Sequence, residues 1–299
     1  MFWTSTNGPV EVPEALPELV DRAEQVLASF SPGLRRRAVS SAAGVDIAAT
    51  FPFSPNGLEQ ASQVFVPGLA GRMTVGWESL DNDGRLVALD LSLDSSFKDQ
   101  RVWNGRLACP PSLLGPGGTD EVANKLPGLL GFCAVQAGAV WGCASLDHWP
   151  GNMGQPPTEH YSAVSTDVGE LQAAMHPRGY YWANLLTTSH LSSLGGLPRV
   201  RERAAQAGIE IRAVPGLEES EGLLLLGADR VSGFTDERLI AVKDLLDPVL
   251  LSKPYRWYAG PPLRVVKEPG TAFREIPADL NPMLPVFDDD EPLPVGDDW

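Results

Sequence analysis

The chain has 299 residues, of which 43% are hydrophobic and 20% charged, a composition typical of globular domains with well-buried cores. Its formal net charge of −15 disfavours contact with nucleic acid or anionic membranes and favours basic partners. The three cysteines lack zinc-type or disulfide-framework spacing, and the first residues lack a basic segment followed by an apolar one, as a secretory signal requires. We therefore expect a cytoplasmic protein.

The first predicted helix covers residues 13–30, because apolar residues recur there at helical spacing. Residues 73–80 and 85–93 are typical of two strands, and the Asp-Asn-Asp-Gly sequence at 81–84 joins them as a hairpin. We expect these two strands to lie at the centre of an antiparallel sheet.

Further along the chain, residues 115–118 are predicted to form a loop that leads to Thr119 as the N-cap of a helix. The stretch 126–146 carries no charge and is just long enough to raise the question of a membrane span. Pro127 and four glycines lower its apolarity, so it is better explained by a buried helix up to Gln136 and a buried strand over 139–146. No membrane segment is predicted.

The second half of the sequence alternates helices and strands. Proline and glycine are frequent in residues 149–158, which makes this stretch the best candidate for a connector between two halves. A helix at 197–207, strands at 209–214 and 222–227, and a final helix that begins after Thr235 and is limited by Pro248 are expected. The predicted divisions are 1–148 for a first α+β half, 149–158 for the connector, 159–268 for a second α+β half and 269–299 for an acidic tail.

The predicted fold class is therefore α+β, with one or more antiparallel sheets flanked by helices. The protein could consist of two similar α+β halves packed together, although no sequence repeat at a fixed period supports a duplication.

Residues 179–196 are the most informative stretch. Aromatic and apolar residues over 180–186 predict a strand, and the following Thr-Thr-Ser supplies side chains that can cap a helix. Gly195 and Gly196 then end the helical turn. We expect Trp182 and Leu185 to pack in the sheet.

This stretch, with its Trp-Ala-Asn-Leu strand end and its Leu-Gly-Gly turn, resembles the immunity proteins of polymorphic-toxin and type VI secretion systems. The resemblance covers about residues 180–250. It implies a protein that binds a cognate toxin and performs no chemistry, and it brings no catalytic residues with it.

Enzyme motifs are not recognisable in the sequence. There is no Gly-x-Ser-x-Gly motif, and the glycine-rich stretches lack the remaining residues of phosphate or dinucleotide loops. The four histidines lack helical metal-ligand spacing, so no metal or cofactor is predicted. Asp147, His148 and His160 remain an alternative, since loops could bring them together as an acid/base or metal site.

The C-terminal tail holds much of the negative charge. Residues 275–299 contain eight acids and no Lys or Arg, so the rest of the chain carries a net charge of only −7. Prolines interrupt the tail, and its weak apolar periodicity predicts no independent fold. The residues predicted to bind a partner are Asp288, Asp289, Asp290, Glu291, Asp297, Asp298 and Trp299 in the tail, together with Trp149 and Trp257 as loop tryptophans.

Arginines 35–37 form the only basic cluster, and we interpret them as a solvated turn or as a complement to a helix C-terminus.

The expected function is stoichiometric neutralisation of a toxin domain by occlusion, and the expected partner is basic. An enzyme with the loop-borne Asp/His site and a structural or regulatory interaction scaffold are the alternatives. The sequence does not specify an oligomeric state.

Overall fold

A computed structural model describes residues 1–5, 11–28, 33–43, 49–52, 54–65, 70–80, 86–95, 102–108, 115–144, 172–230, 233–250, 264–265 and 274–275. Within these ranges the protein consists of antiparallel strands and six α-helices, so the α+β prediction is confirmed.

The strands are β1 (Phe2–Ser5), β2 (Arg35–Ala43), β3 (Ala49–Phe51), β4 (Gly71–Leu80), β5 (Leu86–Ser95), β6 (Trp103–Ala108), β7 (Ala139–Ala144), β8 (Ala183–Thr187), β9 (Glu210–Ala213), β10 (Gly222–Leu226), β11 (Arg264–Val265) and β12 (Arg274–Glu275). The helices are α1 (Glu11–Ala28), α2 (Pro55–Ser62), α3 (Gly115–Gln136), α4 (Thr188–Ser193), α5 (Leu197–Ala207) and α6 (Asp236–Leu246), and a 3₁₀ turn (Asp247–Val249) follows α6.

Ten of the strands form one sheet in the order β3-β2-β4-β5-β6-β1-β7-β8-β10-β9, and every neighbouring pair is antiparallel. The sheet passes directly from the first half of the sequence to the second, because β7 pairs with β8 at Gly142 and Leu185. The predicted connector, 149–158, lies outside the described residues, and the predicted domain divisions stay predictions. β11 and β12 pair separately.

Helices cover the sheet on two faces. On one face, α1, α2 and α3 pack over side chains such as Val75, Trp77 and Leu185 in the largest apolar cluster. On the other face, α4, α5 and α6 pack over a second cluster that includes Leu186 and Leu223. Phe2, Trp141, Cys143, Ala173 and Tyr181 form a third cluster. The core therefore follows the sheet along its length.

Strand β10 shows why its sequence is a run of four leucines. Leu224 and Leu226 belong to the cluster under α1, α2 and α3, whereas Leu223 and Leu225 belong to the cluster under α4, α5 and α6. Successive side chains of a strand point to opposite faces, so a strand covered by helices on both sides needs apolar residues at every position. Each fully buried leucine stabilises the fold by about 1.5–3 kcal/mol.

Most element predictions are confirmed. The hairpin strands are β4 and β5, which pair from Arg72–Asp94 to Leu80–Leu86 as interior strands, while their turn lies outside the described residues. The stretch predicted as helix and strand forms α3 and β7, which are separated by Gly138 at φ 58°. None of the helices in the described ranges combines the length and the apolar character that a membrane crossing needs.

Two details of the sequence interpretation were wrong. Helix α3 begins at Gly115, so residues 115–118 are helical and Thr119 is not the N-cap; Pro116 fits the first turn of a helix because that turn needs no backbone donor there. Arginines 35–37 do not form a turn, because they are the first residues of β2. The pairing of β2 with β4 decides this, and it is not visible in the local sequence.

Candidate functional site

A groove between α1 and α2 is the candidate binding site. It has a cavity volume of about 450 Å³, and residues of α1, α2 and the start of β2 line it. Its floor includes Leu16 and Leu58, which are 2% and 7% exposed and belong to the core cluster. Pro17 and Pro55 add further apolar lining. Residues of the hydrophobic core therefore form part of the inner surface of the groove.

The position of α1 follows from its amphipathic sequence. Its buried stripe packs against the sheet through Leu16, Leu19, Val20, Ala23 and Leu27. The opposite face remains in solvent and carries Glu14, Glu18 and Asp21. Helical periodicity separates these two faces.

Helix α2 is fixed at its N-terminus by a side-chain cap. Ser54 has an extended backbone, and its hydroxyl accepts a hydrogen bond from the Gly57 amide at 3.0 Å. Pro55 occupies the first turn, where a missing donor costs nothing. Leu58 and Ala61 then face the core. The burial of these two residues places α2 against the core, and Glu59 and Ser62 of the same helix line the groove.

Acidic side chains surround the groove. Glu14, Asp21 and Glu59 line it and are exposed. Among the residues that the structure describes, neither Glu14 nor Glu59 has a side-chain ion pair or hydrogen bond. Both carboxylates are therefore available to a cationic ligand, and the apolar floor beside them can accept the aliphatic part of a lysine or arginine side chain.

Among the described residues that line the groove, Arg36 is the one that is basic, and carboxylates of α1 contact it. Its Nε lies 2.6 Å from Glu24 Oε2, and its Nη2 lies 3.5 Å from Asp21 Oδ1. Glu24 Oε2 also accepts a hydrogen bond from the indole Nε1 of the buried Trp77 at 3.3 Å. Arg36 thus offsets part of the acidic charge while Glu14 and Glu59 keep theirs.

The stretch 179–196 forms the predicted strand, cap and turn, although β8 begins at Ala183 and not at residue 180, and the polar side chains Asn184 and His190 have structural roles. The Asn184 amide donates to the Tyr181 carbonyl at 2.7 Å, and its oxygen accepts from the Tyr181 amide at 3.0 Å. Trp182 and Leu185 are buried, as expected, and Gly195 and Gly196 have φ of 93° and 88°. These conformations favour glycine and end α4.

His190 is a buried histidine within that stretch, and its hydrogen bonds give it a structural role. Its Nδ1 accepts from the Thr187 amide at 3.2 Å, and its Nε2 lies 2.9 Å from the Ala173 carbonyl oxygen. An amide can only donate and a carbonyl can only accept, so the imidazole is neutral with its proton on Nε2. Burial lowers the pKa of His190 to about 4, which keeps it neutral near pH 7.

A second buried polar group joins distant parts of the chain. Arg178 is 3% exposed, and its Nη1 donates to Thr4 Oγ1 at 2.8 Å and to Asn104 Oδ1 at 2.9 Å. Its guanidinium carbon lies 5.1 Å from the centre of the Phe2 ring. These contacts attach the segment before β8 to strands β1 and β6.

The structure provides no geometry for the predicted partner-binding residues. The predicted acids at 288–291, 297 and 298 lie outside the described residues, as do Trp149, Trp257, Trp299, Asp147, His148 and His160. Of the other histidines, His176 contacts the Val249 carbonyl through Nδ1 at 3.0 Å. Across the described part of the chain, no three His, Cys, Asp or Glu side chains are grouped as a metal site would require.

Cys133 and Cys143 are buried, as expected of cysteines that act as small apolar residues. Burial raises the pKa of the Cys133 thiol, which disfavours the reactive thiolate.

Sequence reasoning missed the groove because it depends on two helices and a strand that are separated along the chain. One signal was present: the acids of α1 recur opposite the apolar stripe, at positions 14, 18 and 21. The groove itself forms only because α2 lies beside α1 in the folded protein.

Comparisons with known proteins give no relative for this fold or groove. None of the protein-family models, curated proteins or solved structures compared with the chain matches it.

Proposed function

We propose that the protein is an immunity protein that binds a cognate bacterial toxin domain stoichiometrically and occludes its active site in the cytoplasm. The observation that carries the proposal is the groove between α1 and α2, which combines an apolar floor with the carboxylates of Glu14 and Glu59. Such a surface is complementary to a basic protein segment.

Three further observations support a binding role. The net charge of −15 favours encounter with a basic partner, and electrostatic attraction of this kind accelerates association. Residues 179–196 resemble the corresponding stretch of immunity proteins. The polar side chains of that stretch, Asn184 and His190, are engaged with the backbone, as expected of a motif that specifies a fold.

A basic nuclease domain is the kind of toxin that fits this charge best. Carboxylates of the inhibitor would occupy the positions that phosphates take in the nuclease substrate. The acidic tail, including residues 288–291, would add to the long-range attraction.

Co-expression with the toxin domain encoded beside the gene tests the proposal. We expect the protein to restore growth and to co-purify with the toxin in a fixed ratio. Absence of both rescue and complex contradicts the proposal.

The enzymatic alternative is tested in the same assay with a His148→Ala/His160→Ala variant. An occluding inhibitor keeps its protective effect when both imidazoles are removed, provided that circular dichroism shows an intact fold. Loss of protection by a folded variant that still binds the toxin favours the enzyme.

A further inference from the structure

The groove between α1 and α2 has features that define a ligand more narrowly than an acidic surface would. Its floor is formed by Leu16 and Leu58 at the edge of the core, so an apolar side chain or stem placed there would be removed from water. Glu14 and Glu59 lie on different helices and both line the groove. A ligand in the groove therefore meets apolar surface and carboxylates from two helices at once.

We propose that this groove is the docking site for an arginine- or lysine-bearing segment of the partner in which apolar residues flank the basic one. This inference rests on the proposed function and names the part of the partner that the site receives. The apolar side chains would contact Leu58 and the two prolines, and the cationic head group would form ion pairs with Glu14 and Glu59.

Charge complementarity selects this occupant. Of the charged side chains that line the groove in the described part of the chain, three are acidic and one, Arg36, is basic. Arg36 is held by Asp21 and Glu24 through contacts of 3.5 and 2.6 Å. Glu14 and Glu59 keep their charge for the ligand, and an acidic segment would meet two like charges beside an apolar surface.

Arg36 also limits where the cationic group can lie. Because Asp21 and Glu24 already contact Arg36, their carboxylates are less available to a second cation than those of Glu14 and Glu59. The ligand's basic group is therefore directed to Glu14 and Glu59.

A peptide titration tests the site without any natural partner. The probe is the peptide acetyl-Gly-Leu-Arg-Leu-Gly-amide, and the reference peptide carries citrulline, a neutral analogue, in place of arginine. Binding to the full chain is followed by NMR through the backbone amide signals of α1 and α2. The half-saturation concentration is measured for both peptides in 150 mM NaCl (about 8 Å Debye length).

Three variants locate the binding. Glu14→Gln/Glu59→Gln removes the two carboxylates, and Glu202→Gln/Asp229→Asn removes the same charge from exposed positions outside the groove. Ser62→Tyr narrows the groove without changing its charge. We expect the first and third variants to raise the half-saturation concentration about fivefold or more, and the second to change it less than about twofold.

The inference is overturned if both charge-neutralised pairs weaken binding equally, because the peptide would then respond only to overall charge. It is also overturned if the arginine and citrulline peptides bind alike, if Ser62→Tyr has no effect, or if neither α1 nor α2 signals shift. The two proposals can fail independently. Growth rescue without peptide binding supports the immunity role and rejects the groove as the docking site. Peptide binding without growth rescue supports the groove as a binding site and rejects the immunity role.

Discussion

The Nδ1 atom of His190 accepts a hydrogen bond from the backbone amide of Thr187, 3.2 Å away, at the N-terminus of α4. His190 thereby performs one half of a capping box, in which a side chain of the first turn satisfies the amide of the N-cap residue. Its Nε2 proton is donated to Ala173, so the ring also joins α4 to the segment before β8. Protonating Nδ1 would break the cap.

His190 makes stability depend on pH. Burial lowers its pKa from 6.5 to about 4 in the folded state, so the unfolded chain binds the proton first as the pH falls. Stability contributed by the neutral ring is therefore complete above pH 6.5, declines as the pH falls, and is fully lost below about pH 4. Urea unfolding should show that the wild type loses about 3 kcal/mol more than His190→Gln between those limits. Parallel pH profiles for the two proteins would contradict this.

Asn184→Ala should destabilise the fold by about 3 kcal/mol, because both the amide and the carbonyl of the buried Tyr181 lose their partner. Urea unfolding measures the change. The matched control is Asn124→Ala at an exposed position of α3, for which a change within about 0.5 kcal/mol is expected. Equal effects at the two positions would show that the Tyr181 contacts contribute little.

Arg178→Met retains most of the side-chain volume but removes the donor to Thr4 and Asn104. We expect a loss of about 3 kcal/mol, since the partners are buried. Thermal or urea unfolding checks this, with Arg199→Met at an exposed position of α5 as the control. A loss below about 0.5 kcal/mol, the range expected of a surface substitution, would mean that water replaces the guanidinium.

Gly105→Ala should destabilise the protein by about 1–3 kcal/mol through overpacking. Gly105 pairs with Trp3 across β1 and β6, and an added Cβ would overlap the Trp3 indole. Gly128→Ala is the control, because no neighbouring atom lies within 4 Å of the new methyl group and alanine favours the helix. We expect Gly128→Ala to be neutral or stabilising, and the same sign for both variants would refute the packing argument.

Truncation after Arg274 should slow association with a basic partner and flatten its dependence on salt. The removed residues carry eight acids and no basic residue, so their contribution is long-range attraction that salt screens. Stopped-flow association at several NaCl concentrations measures both quantities. If the rate is unchanged, the tail has no role in the encounter.

Much of the fold was predictable where its determinants are local. The helix and strand on either side of Gly138 were predicted from glycine positions and apolar runs, and α5 was predicted from Pro198 and Gly208. The start of α3 and the conformation of arginines 35–37 were not, because neighbouring strands and helices override weak local preferences there.

The candidate site shows the same division. The acids of α1 were visible in the sequence, but their place in a groove was not. The groove also needs α2, which begins only at Pro55, whereas α1 ends at Ala28. His190 was visible as a histidine in a distinctive stretch. Its neutral state was not, because it depends on burial and on Ala173, which lies 17 residues earlier.

The sequence by itself determined the acidic charge, the α+β class and the strand, cap and turn of residues 179–196, because composition, periodicity and capping act within a few residues. Only the tertiary structure decided that ten strands join in one sheet and that Glu14 and Glu59 line one groove. Such contacts form when remote segments bury apolar surface together, and their geometry follows from packing over the whole sheet.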